Sequence, residues 1–497
     1  MSSASPTAAP ARPGPAPTTP DEGWDARQIT AVAIVAVVGV LVSLTQSLLV
    51  PVLPEIQVSL GSSTSGTQWL LTSTLLVAAV AVPVFGRLGD LYGKRLMLTV
   101  AGAALTIGSL VCALTDDLGW MIAGRAITGM SAAAIPLGIS LIGSVLPAHR
   151  AGAGIALVSA TLGIGGALGL PLAALVAENA DYHALFWICV VGGLVAVVGV
   201  LLAVKEPPRI ARGRMDYLGG VLLAAALVSL LYPLAQANSW GWGDPKTIGL
   251  LVAAAVLLVV FVLVERRVAS PLVDVVVNAR PALLLTNIAS VFVGFALFAM
   301  LIGTASYVQA PEATGYGFGS SVLASGLAML PSGVAMLLLS PVSAKLSARL
   351  GPKITLAIGG TVIAVGFLSR VVFTGSFWQI VVGTTIAGAG TGIAYAAMPS
   401  LVMRSAPRSE LAAANGLNAL ARSVGSSLAS AIGGTLLAAS TIALGGYELP
   451  SLTAYRILFG LCAGAALLGA VIALLIPTSG AASDGSPTDA EPAGHGH

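Results

Sequence analysis

Gly86-Arg-Leu-Gly-Asp90-Leu-Tyr-Gly93-Lys94-Arg95 stands between two long apolar runs. Three glycines, one acid and three bases in ten residues do not suit either flanking membrane span. They suit a tight polar loop on the side of a membrane where positive charge collects. An ordinary basic loop needs no glycine or acid at these spacings, so the stretch is expected to do more than connect.

Outward from this stretch the chain is built for lipid. Of its 497 residues 56% are hydrophobic and 9% charged, with a mean hydropathy of +0.95. Soluble domains carry about 25% charge, so these charges cannot coat a globular surface. The net charge is +3, with no basic patch interleaved with aromatics, so no nucleic-acid partner is expected. Cys112, Cys189 and Cys462 lie singly in apolar runs, without metal spacing or a disulfide framework. No Gly-x-x-x-x-Gly-Lys-Ser/Thr loop occurs and no nucleophile–base pairing is evident, so neither an ATP-driven pump nor an enzyme is expected. The abundance of Ala, Val and Gly hints at a GC-rich bacterial gene.

A bilayer core takes about 20 apolar residues per helix. On that measure fourteen spans are expected, at about 29–50, 66–85, 96–115, 119–141, 151–176, 184–204 and 216–236, then at about 247–264, 283–305, 321–344, 354–373, 377–400, 411–438 and 456–476. With both termini inside, the inner loops hold Arg87, Lys94, Arg95, Arg150, Lys205, Arg209, Arg212, Arg214, Arg266, Arg267, Arg280, Lys345, Arg349, Lys353, Arg404 and Arg408. The outer face keeps Lys246 and Arg456, with Arg370 near the outer end of its span. That asymmetry places the chain in the cytoplasmic membrane with both termini cytoplasmic. The twenty acids fall in tails, loops or span ends, none at a span centre.

Leu346-Ser-Ala-Arg-Leu350-Gly351-Pro-Lys353 follows the tenth span and echoes Leu88 through Arg95 without its acid. The expected organisation is a disordered tail at 1–28, a six-helix bundle at 29–204, a two-helix insert with linkers at 205–282, a second six-helix bundle at 283–476, and a disordered tail at 477–497. His495 and His497 in that last tail read as incidental.

The decapeptide resembles the Gly-x-Leu-x-Asp-x-x-Gly-basic-basic signature of major facilitator transporters. The added central pair, with its Asn238-Ser-Trp-Gly-Trp242-Gly-Asp244 loop, resembles the fourteen-span drug:proton antiporter branch. That resemblance implies an all-α membrane protein of two six-helix bundles that alternate access to a shared cavity. It assigns Gly86, Asp90, Gly93, Lys94 and Arg95 to an inner gate, with the glycines letting the loop turn and the helices meet.

Gly165, Gly169 and Pro171 in the fifth span resemble the antiporter signature of the family's exporters. Arg125, within Gly124-Arg-Ala-Ile-Thr128-Gly129, resembles the arginine-containing signature of the fourth span, with Thr128 where a Gln is common, and Arg422 resembles that of the thirteenth. A buried arginine must face a cavity or a partner; Arg422 also lies close enough to the inner surface to snorkel. The cavity walls are expected to include Thr45, Gln46, Arg125, Asn287, Tyr307, Gln379 and Tyr395. A mostly apolar wall with few polar anchors suits a lipophilic small molecule.

The resemblance departs in the fifth span, where Leu170 separates Gly169 from Pro171 and Ala173-Ala174 replace two glycines, and most consequentially in the first. Fourteen-span exporters carry an acid in the first span, where this chain has Thr45. Thr45 cannot titrate, which leaves Glu55, Glu178, Asp181 and His183 as candidate proton carriers beside Asp90. The expected function is export of lipophilic or amphipathic small molecules by a monomer, driven by the proton gradient and needing no cofactor. Without a central acid, neutral or anionic compounds are favoured over permanently cationic dyes. A metabolite importer or a non-transporting sensor of the same fold are the alternatives.

Overall fold

The computed structural model describes residues 25–211, 213–444 and 447–477. The tails at 1–24 and 478–497, with His495 and His497, lie outside the described residues, as do Arg212 and the side chain of Glu178.

In chain order the helices are α1 (Ala26–Leu48), α2 (Leu53–Ser59), α3 (Thr64–Tyr92), α4 (Lys94–Ala113), α5 (Leu118–Gly129), α6 (Ala134–Val145), α7 (Ala148–Asn179), α8 (His183–Ala203) and α9 (Tyr217–Trp240). They continue with α10 (Pro245–Glu265), α11 (Val275–Asn278), α12 (Pro281–Gln309), α13 (Val322–Arg349), α14 (Pro352–Val372), α15 (Phe377–Ser405), α16 (Leu411–Ala439) and α17 (Leu452–Leu475). A short antiparallel hairpin, β1 (Thr441–Leu444) and β2 (Tyr447–Pro450), joins the last two helices, an element the sequence reading did not foresee.

Many of these helices start on a side-chain cap. Asp25, Ser63, Asp117, Asp216, Asp244, Ser321 and Ser451 each accept a hydrogen bond from a first-turn amide. Acids at span ends are therefore partly structural, satisfying amides that the first helical turn leaves without partners.

Thirteen of the helical spans are long and apolar enough to cross a membrane, α5 and α6 forming one continuous span. The fourteenth expected span is α16, equally long but rich in Asn, Ser and Arg. Asn415, Asn418 and Arg422 are buried, so its polar face meets protein and not lipid. Lipid is met elsewhere: on α10, Val252, Val256, Val259 and Leu263 are exposed at helical spacing.

The first six spans pack together, α1 on α7 and α8, and α4 on α5 and α8. The last six repeat the plan, with α12 on α16 and α17, and α14 on α15 and α17. Two seams join these groups: α3 lies on α16, and α7 on α13. Each seam pairs the second span of one half with the fifth of the other, as parallel repeats about one axis require. The insert helix α9 lies on both α3 and α16, astride the first seam. Leu223, Leu227 and Leu231 of α9 share a buried cluster there with Ala79 and Leu420.

Candidate functional site

The decapeptide is not the loop its composition suggested. Helix α3 runs through it to Tyr92, and Gly93 alone makes the turn, at φ +124°, before α4 begins at Lys94. The polar residues tolerate a helix because neighbouring elements satisfy them. Gly86 serves close packing: a Cβ there would lie 2.7 Å from the Ala412 carbonyl oxygen and 3.0 Å from the Ala413 Cα. Gly416 answers from α16, where a Cβ would lie 2.9 Å from the Val82 carbonyl oxygen.

This contact brings Asp90 to the start of α16. Its carboxylate accepts the Ala412 amide at 3.0 and 3.1 Å and the Ala413 amide at 2.9 Å. Asp90 thus caps, from 322 residues away, a helix whose own start has no side-chain cap. The partial positive charge of that helix end makes the site favourable for a carboxylate. Lys94 Nζ stands 3.8 Å from Asp90 and donates to Ser144 Oγ at 2.9 Å.

The same device recurs one turn along the chain. Gly93 has no side chain to cap α4, and Glu206, after α8, accepts the amides of Arg95 and Leu96 at 3.3 Å each. The Arg95 guanidinium donates to the Leu201 carbonyl. Sequence reading missed Glu206; its only signal was a lone acid in a basic loop.

The expected cavity residues divide into two buried clusters and several outliers. Arg125 on α5 is 2% exposed, and its Nε donates to the Leu70 carbonyl on α3 at 3.4 Å. With Thr45 and Cys189 it lines a cleft of about 10 Å³ inside the first bundle, room for one water and not for a drug. Thr45 Oγ1 donates to the Leu41 carbonyl at 2.7 Å and lies 3.5 Å from Cys189 Sγ. Thr128 Oγ1 is turned back onto the Gly124 carbonyl at 2.9 Å, and Gln46 is half-buried.

The second cluster joins Asn287, Tyr395 and Arg422. Arg422 Nη1 donates to Asn418 Oδ1 at 2.5 Å, and Asn418 Nδ2 donates to Asn287 Oδ1 at 3.0 Å and to Ser290 Oγ at 2.8 Å. The Arg422 guanidinium lies 5.1 Å from the Tyr395 ring centre. Arg422 is 6% exposed, so it points inward and does not snorkel.

Tyr307 and Gln379 line no such cluster. Tyr307 belongs to an aromatic group with Tyr316, Tyr455 and Phe459, and its hydroxyl donates to the Thr374 carbonyl at 3.2 Å. Gln379 Oε1 accepts the amides of Gly375 and Ser376 and so caps α15. Arg370 was placed near the outer end of its span. It is fully buried, its three guanidinium nitrogens have no hydrogen-bond partner, and it lies 3.8 Å from the Phe459 ring centre.

The fifth-span glycines pack on two sides. Cβ atoms on Gly165 and Gly169 would strike α1, at 2.6 Å from the Val40 carbonyl and 1.9 Å from Ser47 Oγ. Pro171 faces α13 across the seam, where a Cβ on Gly326 would lie 2.8 Å from its ring. Backbones thus approach closely inside the first bundle, between α1 and α7, and across both seams, at Gly326 and at Gly86.

Among the proposed proton carriers, Asp181 and His183 meet, and Asp116 lies 3.5 Å from the same imidazole. Asp181 does not fit the role. The His183 backbone amide holds its carboxyl below the usual carboxylate range, so it stays ionised at neutral pH. Glu55, in the first turn of α2, is exposed. Among the described residues no group of three or more His, Cys, Asp or Glu is placed to hold a metal ion.

Two halves joined along paired seams, with a carboxylate latch across one of them, define a class of multi-pass membrane transporter and not an enzyme. The chain belongs to the Major Facilitator Superfamily, whose model matches residues 35–311 and 291–494. It is 28% identical over 393 residues to the multidrug resistance protein Stp of Mycobacterium tuberculosis, covering 78% of this chain and 72% of that one. It is 28% identical over 429 residues to the tetracenomycin C resistance and export protein of Streptomyces glaucescens, covering 84% and 78%. In structure it resembles the proton:xylose symporter XylE, with a TM-score of 0.63 at 13% identity over 91% of this chain and 96% of that one. That last likeness concerns the fold alone.

Proposed function

We propose that this transporter exports lipophilic or amphipathic small molecules, antibiotics or secondary metabolites among them, from the cytoplasm by proton antiport. Its relatives named for drug resistance and antibiotic export support the substrate class and direction. The orientation follows from the charges: the latch lies on the face that carries nearly all loop bases, which is the cytoplasmic one. One monomer holds both halves of the latch.

The observation that carries the mechanism is the Asp90 carboxylate on the amides of Ala412 and Ala413. It ties the halves together at the cytoplasmic end, so loading from that side requires its release. The two buried arginine clusters, around Arg125 and Arg422, lie one in each half. They offer positive charge and hydrogen-bond donors but no acid, which favours neutral or anionic molecules.

Everted membrane vesicles test this reading. Energised vesicles are expected to accumulate a lipophilic antibiotic, and a protonophore to abolish that accumulation. Accumulation unaffected by a protonophore would sink proton coupling, and uptake in right-side-out vesicles alone would reverse the direction.

A further inference from the structure

The insert carries a buried acid, Glu265, beside a half-buried one, Asp216, and the latch uses neither. Asp216 caps α9: Oδ1 accepts the Gly219 amide at 2.8 Å, while Oδ2 is buried without a hydrogen-bond partner. Glu265 ends α10 and is 3% exposed, and neither of its carboxylate oxygens has a partner. The amides of Leu272 and Val273 face it without reaching hydrogen-bond geometry. Both acids crowd one point. A Cβ on Gly219 would lie 2.2 Å from Glu265 Oε1 and 2.6 Å from Asp216 Oδ2, which sets those oxygens at most about 5 Å apart.

The described charges around them do not balance two carboxylates. Among the described residues Arg87, on α3, is the cation within electrostatic reach of Glu265; it is 5% exposed, and its Nε has no hydrogen-bond partner there. Arg87 also faces Asp90 and Glu410, the residue just before α16. Asp274 and Arg280 stand around Glu410 in turn, and Arg266 and Arg267, next along the chain from Glu265, are exposed. A desolvated carboxylate this close to a second one, sharing one described cation with two other acids, is costly to keep ionised.

We infer that Glu265 is a proton-binding site, with the Asp216 carboxylate as the acceptor facing its proton. A small rotation of the Glu265 carboxyl lets its O–H donate to Asp216 Oδ2, giving that orphan oxygen a partner and leaving a single negative charge for Arg87. The proton comes from the cytosol and returns to it. On its departure the two carboxylates repel, and Arg87 is drawn toward them and away from Asp90, three residues along the same helix. The latch then senses the protonation of the insert. This consequence rests on the proposed latch; a proton exchanged with the cytosol alone gates transport and is not the proton that antiport carries, and the site itself stands without either reading.

Infrared spectroscopy of the purified full-length protein tests the site directly. A band from the C=O stretch of a protonated carboxylic acid is expected near neutral pH, present in wild type and D90N and absent in E265Q. D216N removes both the like charge and the carboxylate acceptor, so that band is expected to weaken or to move to higher frequency. Size-exclusion profiles and circular dichroism matching wild type establish that each variant is folded. A wild-type spectrum with no band that E265Q removes, or a band unchanged in both intensity and position in D216N, overturns the proposal. Protonophore-insensitive transport would count against proton antiport and leave the band standing, so the two ideas fail separately.

Discussion

Asp90 is the residue on which the two halves turn. Its carboxylate gives two backbone amides the acceptor they lack, and it is 5% exposed, so water competes little for them. Hydrogen bonds to a charged acceptor contribute about 1.5–3 kcal/mol. D90N keeps the shape and loses the charge, so transport in everted vesicles is expected to fall severalfold at unchanged membrane abundance. Wild-type rates in D90N would remove the latch. The acid and its importance were legible in the decapeptide; its partners were not. Backbone amides carry no sequence signal, and Ala412 and Ala413 lie more than three hundred residues away. Glu265 shows the opposite failure. At the end of an apolar run and next to Arg266 and Arg267 it reads as a solvated loop charge, and burial revealed it only once α9 and α3 were in place.

Among the elements, the α3–α16 seam works because small residues let two backbones approach. G86A adds one methyl at 2.7 Å from the Ala412 carbonyl, where backbone must give way. Overpacking of this kind costs about 1–3 kcal/mol. G86A is expected to cut transport as D90N does, whereas G464A on α17, whose Cβ meets open space, leaves it unchanged. Equal rates in G86A and wild type would show that the seam does not need this contact. The helical run through Gly86 was misread as a loop because composition reports polarity and not whether a neighbour satisfies it. Helix α16 shows the same limit from the other side, since its buried Asn415, Asn418 and Arg422 keep it from being apolar enough to count as a span.

For the whole molecule, the insert acts as a brace. At the latch end it brings Glu265 beside Arg87; at the other end Trp242 Nε1 donates to Thr435 Oγ1 at 2.7 Å, and Thr435 Oγ1 donates to Asn238 Oδ1 at 3.0 Å. Trp69 of α3 meets Tyr232 of α9 at 5.2 Å between ring centres. The insert therefore touches both halves along the length of one seam. The double variant N238A/W242F loses neutral hydrogen bonds that contribute about 0.5–1.5 kcal/mol each. Its melting temperature in detergent is expected to drop, and a melting curve like that of wild type would leave the insert no bracing role.

The sequence by itself determined the membrane environment, the run of helices and the repeated halves, because hydropathy and charge asymmetry act locally and each span answers to lipid on its own. It also marked Asp90, Arg125 and Arg422 by the cost of placing charge among apolar neighbours. Only the tertiary structure decided what those charges touch. It put Tyr307 and Gln379 in an aromatic group and a helix cap, split the remaining polar residues between two clusters, and brought Asp216 to Glu265. Burial and pairing arise from segments far apart in the chain, and that distance leaves no periodic trace in the order of residues.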